Sequence, residues 1–309
     1  MKNNLSNIKK ATKYLNNNEC VGIPTETVYG LAANAYSDKA TSKIFKLKKR
    51  PKKNPLIVHY YNLNDLKKDC LVDLNFIKLY KKFCPGPISF VLKLKSNSCI
   101  SNNVTNKKKN IAVRFPRHII TRRLLKILKY PLAAPSANLS KKISPVSKSD
   151  VIDEFGKKVK FVLDGGQSKI GVESTIVSLV HKPKILRLGG IERNKIEKFL
   201  FNKSKKKYKK KKIVVPGQGK VHYSPGIPIR LNIKHPKKKE AYILIKKRKF
   251  FKKNFYYLSK KNNLKEAAKN LYKTLRIIKK KNFKSIAVEK IPNIGLGETI
   301  NDRLIRASK

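Results

Sequence analysis

Five short segments of the sequence carry side chains that can bind small anions and polar ligands. Residues 23–31 place two threonine hydroxyls in a turn that begins with proline, and residues 46–56 concentrate lysine and arginine before a predicted strand. A guanidinium fork and an ammonium point charge both suit phosphate oxygens. Residues 112–116 put Arg114 at the end of another predicted strand, where its fork can clamp a carboxylate.

The other two segments, residues 134–138 and 171–175, contain small hydroxyl and amide side chains in turns. Such turns let a ligand approach the backbone closely. Each segment alone also has an ordinary structural interpretation, namely turn chemistry, a solvated lysine face or, for the nearby His59, packing in a core. The binding interpretation therefore requires that the fold bring the segments together.

Strands and helices alternate around these segments over the first 200 residues. Several predicted strands are apolar on both faces, which is typical of a sheet covered by helices, so we predict an α/β domain with a mixed sheet. Its predicted strands are residues 19–23, 55–60, 88–94, 111–115, 132–134, 161–164, 174–179 and 185–188, and its predicted helices are residues 5–18, 40–47, 74–83 and 121–129.

The composition changes after Leu200. Residues 203–212 contain eight lysines and indicate a solvated run, with a tail that follows tRNA as the alternative. Residues 214–228 are rich in Gly and Pro, as in a linker, yet contain His222 and Tyr223. Further on, a small Rossmann-like α/β unit is predicted, with strands at residues 241–245, 255–258 and 285–291, an amphipathic helix at residues 264–278 and a terminal helix from Thr299.

The charge balance is strongly basic. The 309 residues include 75 Lys and Arg against 18 Asp and Glu, a formal net charge of +57. Such a chain attracts polyanions such as nucleic acid or nucleotides. Lysine is also abundant in places without any pattern, so general compositional drift is the favoured main cause. Charge alone therefore does not identify a function.

Several classes of protein are disfavoured. The sequence has no P-loop, no Gly-x-Gly-x-x-Gly after a strand, no His-Glu-x-x-His and no Gly-x-Ser-x-Gly. Its four cysteines, at positions 20, 70, 84 and 99, fit no metal or redox spacing. Apolar stretches are too short to cross a bilayer, and the N-terminus lacks the apolar region of a signal peptide. We therefore expect a cytoplasmic protein without a membrane partner.

The order of the motifs resembles the YrdC/Sua5 family. The residues concerned are Pro-Thr-Glu-Thr-Val-Tyr-Gly-Leu from position 24, Lys-x-Arg-Pro from 48, Cys-Pro-Gly-Pro from 84, Ala-Val-Arg-x-Pro from 112, Pro-Ser-Ala-Asn-x-Ser from 135 and Glu-Ser-Thr-Ile from 173. The resemblance implies a YrdC-like twisted mixed sheet with flanking helices at residues 1–200. It also implies a lid-forming linker at residues 201–230 and a Rossmann-like Sua5 C-terminal domain at residues 231–309.

The resemblance also implies a reaction. Members of the family are threonylcarbamoyl-AMP synthases, which combine L-threonine, bicarbonate and ATP and release pyrophosphate. A separate tRNA threonylcarbamoyl transferase complex then uses the product next to the anticodon. Mg²⁺ is expected only on the ATP phosphates, without dedicated protein ligands. Contact with tRNA or other RNA is a further partner that the sequence leaves open. Repulsion among the anionic reactants explains why such a site needs lysine and arginine.

The family's functional residues transfer to matching positions of this sequence. The implied L-threonine contacts are Thr27, His59, Arg114, Ala134 and Ser174, and the implied ATP contacts are Lys48, Arg50, Asn54, Asn110, Ser136, Asn138, Ser144, Arg187 and Tyr223. Tyr223 matches the residue that closes over the nucleotide, which gives the linker the role of a lid that excludes water.

Two positions depart from the family pattern, and two other functions compete with the synthase. Lys49 stands where relatives often have a small residue, and residues 216–222 differ from the fuller linker consensus. One alternative is a non-catalytic double-stranded RNA or tRNA-binding module of the same fold. The other is the carbamoyl-transfer branch used in hydrogenase maturation, whose zinc fingers the cysteine spacing excludes.

Overall fold

The computed structural model describes residues 2–200, 222–248 and 252–309. Its helices are α1 (Lys2–Asn16), α2 (Asp38–Lys48), α3 (Leu63–Asp69), α4 (Leu74–Phe83), α5 (Asn102–Thr105), α6 (Ile119–Ile127), α7 (Lys148–Phe155), α8 (Arg193–Leu200), α9 (Leu264–Lys279) and α10 (Leu296–Ala307), with a 3₁₀ turn at Gly156–Lys158. Its strands are β1 (Val21–Ile23), β2 (Gly30–Asn34), β3 (Ile57–His59), β4 (Ile88–Lys93), β5 (Asn110–Arg114), β6 (Leu132–Ala133), β7 (Phe161–Val162), β8 (Thr175–Ser178), β9 (Lys184–Arg187), β10 (Ile229–Arg230), β11 (Glu240–Lys246), β12 (Phe255–Ser259) and β13 (Ser285–Val288).

The strands form two sheets. The larger sheet has the order β7-β1-β2-β6-β3-β5-β4-β8-β9 and mixes parallel pairs such as β3 with β5 and antiparallel pairs such as β4 with β5. The smaller sheet has the order β10-β13-β11-β12 and is parallel throughout. The predicted fold class, a mixed sheet with helices plus a smaller α/β unit, is therefore confirmed.

Local signals account for most helix ends. Asparagine, serine or aspartate side chains at the helix N-termini accept backbone N–H groups, and these caps are Ser37, Asn62, Asp73, Ser147 and Asn263. Lys49 takes the left-handed conformation that ends α2, with φ +48°, and is exposed. A small residue is common at this position because the left-handed region favours glycine, so the lysine side chain extends outward instead of crowding the turn.

Several elements were not predicted from the sequence. Strand β2 has a low-propensity composition, Gly-Leu-Ala-Ala-Asn, and is held by pairing with β1 and β6. Helix α7 begins with a capping box in which Ser147 and Asp150 exchange hydrogen bonds with each other's backbone. That signal is readable in the sequence and identifies this helix.

Of the segment predicted as a linker, residues 201–221 lie outside the described residues, and the lysine-rich run falls there. The described remainder ends in β10, which pairs with β13 of the smaller sheet. The proposed division at residues 200 and 230 stays a prediction.

The two units share a core and ion pairs. Val28, Ile143, Val146 and Val172 of the larger unit pack into the apolar core of the smaller one. The half-buried guanidinium of Arg276 lies 3.5 Å from the Glu154 carboxylate and donates a 2.7 Å hydrogen bond to the Ile143 carbonyl. A Cβ atom at Gly171 would lie only 2.4 Å from the backbone of Lys269 in α9. The backbones of the two units are therefore in direct contact at this point.

Removing residues 231–309 should therefore destabilise the remaining unit. The truncation exposes the shared apolar face and leaves the Glu173 carboxylate without its Arg303 partner. Exposing two or more large apolar side chains of that face costs roughly 3–5 kcal/mol, which corresponds to a fall of roughly 10 °C in the unfolding midpoint. Differential scanning fluorimetry of the full and truncated chains measures this. A truncated chain that melts within about 2 °C of the full chain contradicts the prediction.

Candidate active site

One cleft collects most of the predicted binding residues. It is lined by side chains of the larger unit together with His222 and Tyr223 of the segment predicted as a linker. The predicted residues along its wall are Arg50, His59, Arg114, Ala134, Ser136, Ser174, Arg187 and Tyr223. The lining does not include Thr27, Lys48, Asn54, Asn110, Asn138 and Ser144.

The ends of two parallel strands place the carboxylate-binding candidates side by side. His59 ends β3 and Arg114 ends β5, and the two residues are register partners. Both side chains are buried. Neither the His59 Nδ1 atom nor the Arg114 Nε atom has a hydrogen-bond partner within the part of the chain that the structure describes. These two nitrogens are therefore available to a ligand.

Glu26 holds the Arg114 fork in place, a contact that sequence reasoning missed. Arg114 Nη2 donates to Glu26 Oε1 at 2.7 Å, and the backbone N–H of Arg117 donates to Glu26 Oε2 at 3.0 Å. Burial raises the pKa of the Glu26 carboxyl, but Arg114 and these hydrogen bonds outweigh it and lower the pKa overall. Glu26 lies inside the Pro-Thr-Glu-Thr motif, but its partner is 88 residues away.

The hydroxyl groups in the turns are already hydrogen-bonded to one another. The Thr25 and Thr27 hydroxyls lie 2.8 Å apart, and Thr25 donates to the Val28 carbonyl at 2.6 Å. Thr25 lines the cleft, whereas Thr27 is fully buried behind it. On the opposite wall, the Ser174 hydroxyl lies 2.8 Å from that of Ser89. The positions of the Thr25 and Ser174 hydroxyls in the cleft lining are therefore fixed by bonds within the protein.

Two arginines, Arg50 and Arg187, line the half of the cleft predicted to take the nucleotide. Arg50 donates to the Asn54 and Pro55 carbonyls at 3.1 and 2.9 Å, and Arg187 donates to the Ser174 carbonyl at 2.9 Å. Burial and the charge of Arg187 lower the pKa of Arg50 to about 10. Two cations that are shielded from water and repel each other form a strong site for an anion, because the anion offsets both positive charges.

Lys48 supports this half of the cleft from behind. Its ammonium donates to the Ser136 carbonyl at 2.5 Å and to the Asn138 carbonyl. Burial, and then the nearby Arg50 charge, hold the pKa of Lys48 well below its usual value. Asn138 in turn donates to the carbonyls of Leu139 and Lys142 at 2.7 and 2.9 Å. Lys48 therefore fixes the turn that presents Ser136.

The remaining predicted nucleotide contacts lie around the cleft. Asn110 begins β5 opposite Lys93 in register, at the other end of the strand from Arg114 and roughly 13 Å away along it. Asn54 contributes its carbonyl to Arg50, and the Ser144 hydroxyl donates to Glu173 at 2.6 Å. Nucleotide roles for these residues stay predictions.

Residues 222–230 are the described part of the segment predicted as a lid. His222 and Tyr223 both line the cleft, and His222 was not among the predicted site residues. Tyr223 is 1% exposed and has a φ of +69°, which is an outlier for a bulky residue. Its hydroxyl, like the His222 Nδ1 atom, has no hydrogen-bond partner among residues 2–200, 222–248 and 252–309.

The described residues offer neither a metal-binding cluster nor a membrane-spanning helix. The described residues contain no cluster of three or more His, Cys, Asp or Glu side chains placed to hold a metal ion. Glu173 is the carboxylate that lines the cleft, and it already accepts bonds from Ser144, Tyr272 and Arg303. None of the described helices has the length and apolarity to cross a membrane.

His59 should bind its ligand in the neutral form. Burial, and then the adjacent Arg114 charge, hold the pKa of His59 well below its usual value of 6.5. The neutral imidazole therefore persists as the pH falls. The KM for the ligand that His59 and Arg114 bind should stay constant over roughly pH 6–8. Steady-state kinetics across that range measure this. A KM that rises with an apparent pKa near 6.5 in the wild-type chain, and not in His59→Gln, contradicts the prediction.

Comparison with known proteins identifies the family. Residues 13–189 match the Sua5/YciO/YrdC family model, described as telomere recombination, and residues 191–309 match the model described as threonylcarbamoyl-AMP synthase, C-terminal domain. The threonylcarbamoyl-AMP synthase of Pyrococcus abyssi is 33% identical over 97% of this chain and 94% of the relative. That of Bacillus subtilis is 32% identical over 97% of this chain and 92% of the relative.

A solved structure agrees over the same length. The crystal structure of Pyrococcus abyssi Sua5 complexed with L-threonine has a TM-score of 0.87, with 31% sequence identity over 97% of this chain and 94% of that one. Both units are therefore shared with this relative. The chain belongs to the Sua5/YrdC family, in the long form that carries the Sua5 C-terminal domain.

Proposed function

We propose that this protein is a threonylcarbamoyl-AMP synthase. L-threonine, bicarbonate and ATP would give threonylcarbamoyl-AMP, pyrophosphate and water. One observation carries the proposal: a single cleft joins a carboxylate clamp, Arg114, to an anion site made by Arg50 and Arg187. The near full-length similarity to relatives named threonylcarbamoyl-AMP synthase supports the same activity.

The threonine half of the cleft suits a small amino acid. Arg114 keeps Nε for the carboxylate, because Glu26 occupies one of its Nη atoms. Thr25, His59, Ala134 and Ser174 line the cleft with it, and Thr27 supports Thr25 from behind through a hydroxyl contact. The relative solved with L-threonine supports this ligand.

The nucleotide half suits the phosphates of ATP. The amine of threonine and bicarbonate first form a carbamate with loss of water. A carbamate oxygen then attacks the α-phosphorus, the bond from that phosphorus to the bridging oxygen breaks, and pyrophosphate leaves with the bond's electron pair. Arg50 and Arg187 offset the charge that gathers in this step, and Lys48 holds the Ser136 turn in position.

Mg²⁺ belongs in this proposal as a companion of ATP. The cleft wall carries arginines, and its carboxylate Glu173 is hydrogen-bonded and paired with Arg303, so these donors do not suit a resident metal ion. The metal would arrive on the phosphate oxygens, where it offsets negative charge. The product would pass to a separate tRNA threonylcarbamoyl transferase complex, and we place the reaction in the cytoplasm.

The RNA-binding alternative is not favoured. Relatives that match this chain over nearly its whole length are named threonylcarbamoyl-AMP synthases, and the cleft holds a buried, carboxylate-paired Arg114 that an RNA-binding surface does not need. The hydrogenase-maturation alternative is also weaker, because residues 191–309 match the synthase C-terminal domain.

The test is pyrophosphate release from ATP, with and without L-threonine and bicarbonate. We expect release that requires both substrates, and incorporation of labelled bicarbonate into a threonine- and AMP-containing product. D-threonine serves as the control for the geometry of the clamp. Release independent of threonine, or no release from folded protein, would overturn the proposal.

A further inference from the structure

We infer that Arg303 of α10, in the smaller unit, is a positioning residue for the reaction: it holds Tyr223 of the lid over the cleft through a buried network centred on Glu173. The inference rests on the proposed function. It assigns the smaller unit a direct task in ATP binding and in protecting the adenylate from water.

The Arg303 guanidinium is held from three sides. It is 1% exposed. Its Nε donates to Glu173 Oε2 at 2.8 Å, its Nη2 to the Leu188 carbonyl at 2.6 Å and its Nη1 to Asp302 Oδ2 at 2.5 Å. Each nitrogen has a partner, so the plane of the group cannot turn freely. Its central carbon lies 4.9 Å from the centre of the Tyr223 ring, within the range of a cation–π contact.

A second neighbour of Tyr223, Tyr272, depends on the same carboxylate. The Tyr272 ring stacks with Tyr223 at 5.7 Å between centroids and 23° between planes. The Tyr272 hydroxyl lies 2.9 and 3.0 Å from the two oxygens of Glu173. Glu173 therefore fixes Arg303 and Tyr272, the two groups outside the lid itself that contact the Tyr223 ring; the third ring neighbour, His222, is adjacent in the chain.

The backbone of the lid needs this support. Tyr223 has a φ of +69°, a conformation that persists in a bulky residue only where the surroundings impose it. The neighbouring backbone is tied at both sides, with His222 N–H donating to the Arg306 carbonyl at 3.1 Å and Ser224 N–H to the Lys141 carbonyl at 2.9 Å. With the backbone held, the ring contacts with Arg303 and Tyr272 determine where the Tyr223 ring lies.

The network also reaches the substrate side. Glu173 accepts from the Ser144 hydroxyl at 2.6 Å and lines the cleft beside Ser174. Burial raises the pKa of Glu173, but the charges of Arg303 and Arg187 outweigh it and lower the pKa to about 2. The carboxylate is thus ionised at neutral pH, and its charge complements Arg303.

The first test is kinetic and uses Arg303→Lys, which keeps the charge but loses the planar fork. We expect the ATP KM to rise about fivefold to thirtyfold, the range of one cation–π contact. The kcat and the threonine KM should change less than about twofold, because neither Arg50 nor Arg114 contacts Arg303. More pyrophosphate should also be released per adenylate captured. Arg248→Lys, at a half-exposed ion pair with Glu289 of the same unit, is the control and should match the wild type.

A double-mutant cycle shows whether Arg303 acts through the tyrosine. Tyr223→Ala should raise the ATP KM by itself, and Arg303→Lys should add little in that background, because the contact no longer exists. Additive effects would overturn the inference. So would an Arg303→Lys variant that lowers kcat with an unchanged ATP KM, the result of a merely structural role. If Arg303→Lys fails to fold, Glu173→Gln provides the same comparison.

A spectroscopic test is independent of catalysis. The sequence contains no tryptophan, so Tyr223→Trp creates a single fluorescent probe in the lid. We expect acrylamide to quench this probe weakly, and at least about twice as efficiently once Arg303→Lys or Glu173→Gln is added, because a fixed aromatic contact is lost. Equal quenching in all backgrounds would overturn the inference. Because no turnover is needed, this result separates failure of the inference from failure of the proposed function.

Discussion

Replacing Arg50 by alanine should lower threonine-dependent pyrophosphate release by about a thousandfold, the scale of losing an arginine that stabilises a transferring phosphoryl group. Arg50 lines the cleft together with Arg187, and burial keeps both charges from being screened by water. The substitution also frees the Asn54 and Pro55 carbonyls that Arg50 holds. Continuous pyrophosphate detection at saturating threonine and bicarbonate measures the effect.

A neighbouring residue provides the control for Arg50. Lys49 carries the same charge in the same turn but is exposed, so Lys49→Ala should retain near wild-type release. Arg50→Lys should recover little, because an ammonium cannot reproduce the fork that contacts Asn54, Pro55 and an anion together. If Arg50→Ala keeps more than about a tenth of the activity, its phosphate role is wrong.

The second large effect is expected at Arg114. Arg114→Ala should raise the threonine KM by roughly 100-fold or more, because it removes a charge-assisted clamp on the substrate carboxylate in a buried site. The binding of ATP should change little, since Arg50 and Arg187 remain. Threonine titrations followed by pyrophosphate release, and calorimetric threonine binding, measure the change.

Stability must be separated from binding in this experiment. Arg114→Ala leaves the Glu26 carboxylate buried and unpaired, at a cost of roughly 3–5 kcal/mol. The folded pKa of Glu26 is lowered in the native chain, so the pair stabilises the fold above the unfolded pKa, and this stability is lost as the pH falls through the folded pKa. Adding Glu26→Gln to Arg114→Ala should restore the unfolding midpoint at pH 7 without restoring threonine binding. Recovery of both would show that Arg114 acts only through stability.

Local information explains why the fold class and much of the cleft could be predicted. Apolar periodicity indicates α9, strand runs indicate β4 and β5, and the order of short motifs indicates the family. These motifs also single out Arg50, Arg114 and Ser174, which the structure brings to one cleft. Such residues are recognisable because each lies in a distinctive short segment.

Contacts between distant segments explain what the sequence did not reveal. Lys48 was predicted as an ATP contact, but its ammonium reaches carbonyls about 90 residues away and supports the turn that carries Ser136. No local pattern indicates that Glu26 will pair with Arg114, or that the lid tyrosine will need a φ of +69°.

The sequence by itself determined the class of fold, the family and the residue types that face the cleft, because periodicity and short motifs are local properties. The tertiary structure alone decided which of those cations are free to meet a substrate and which are committed to carbonyls and carboxylates. It also joined Glu173 to Arg303 across 130 residues. The physical reason is desolvation: a buried charge must find a partner, and only the packed chain determines which partner lies within reach.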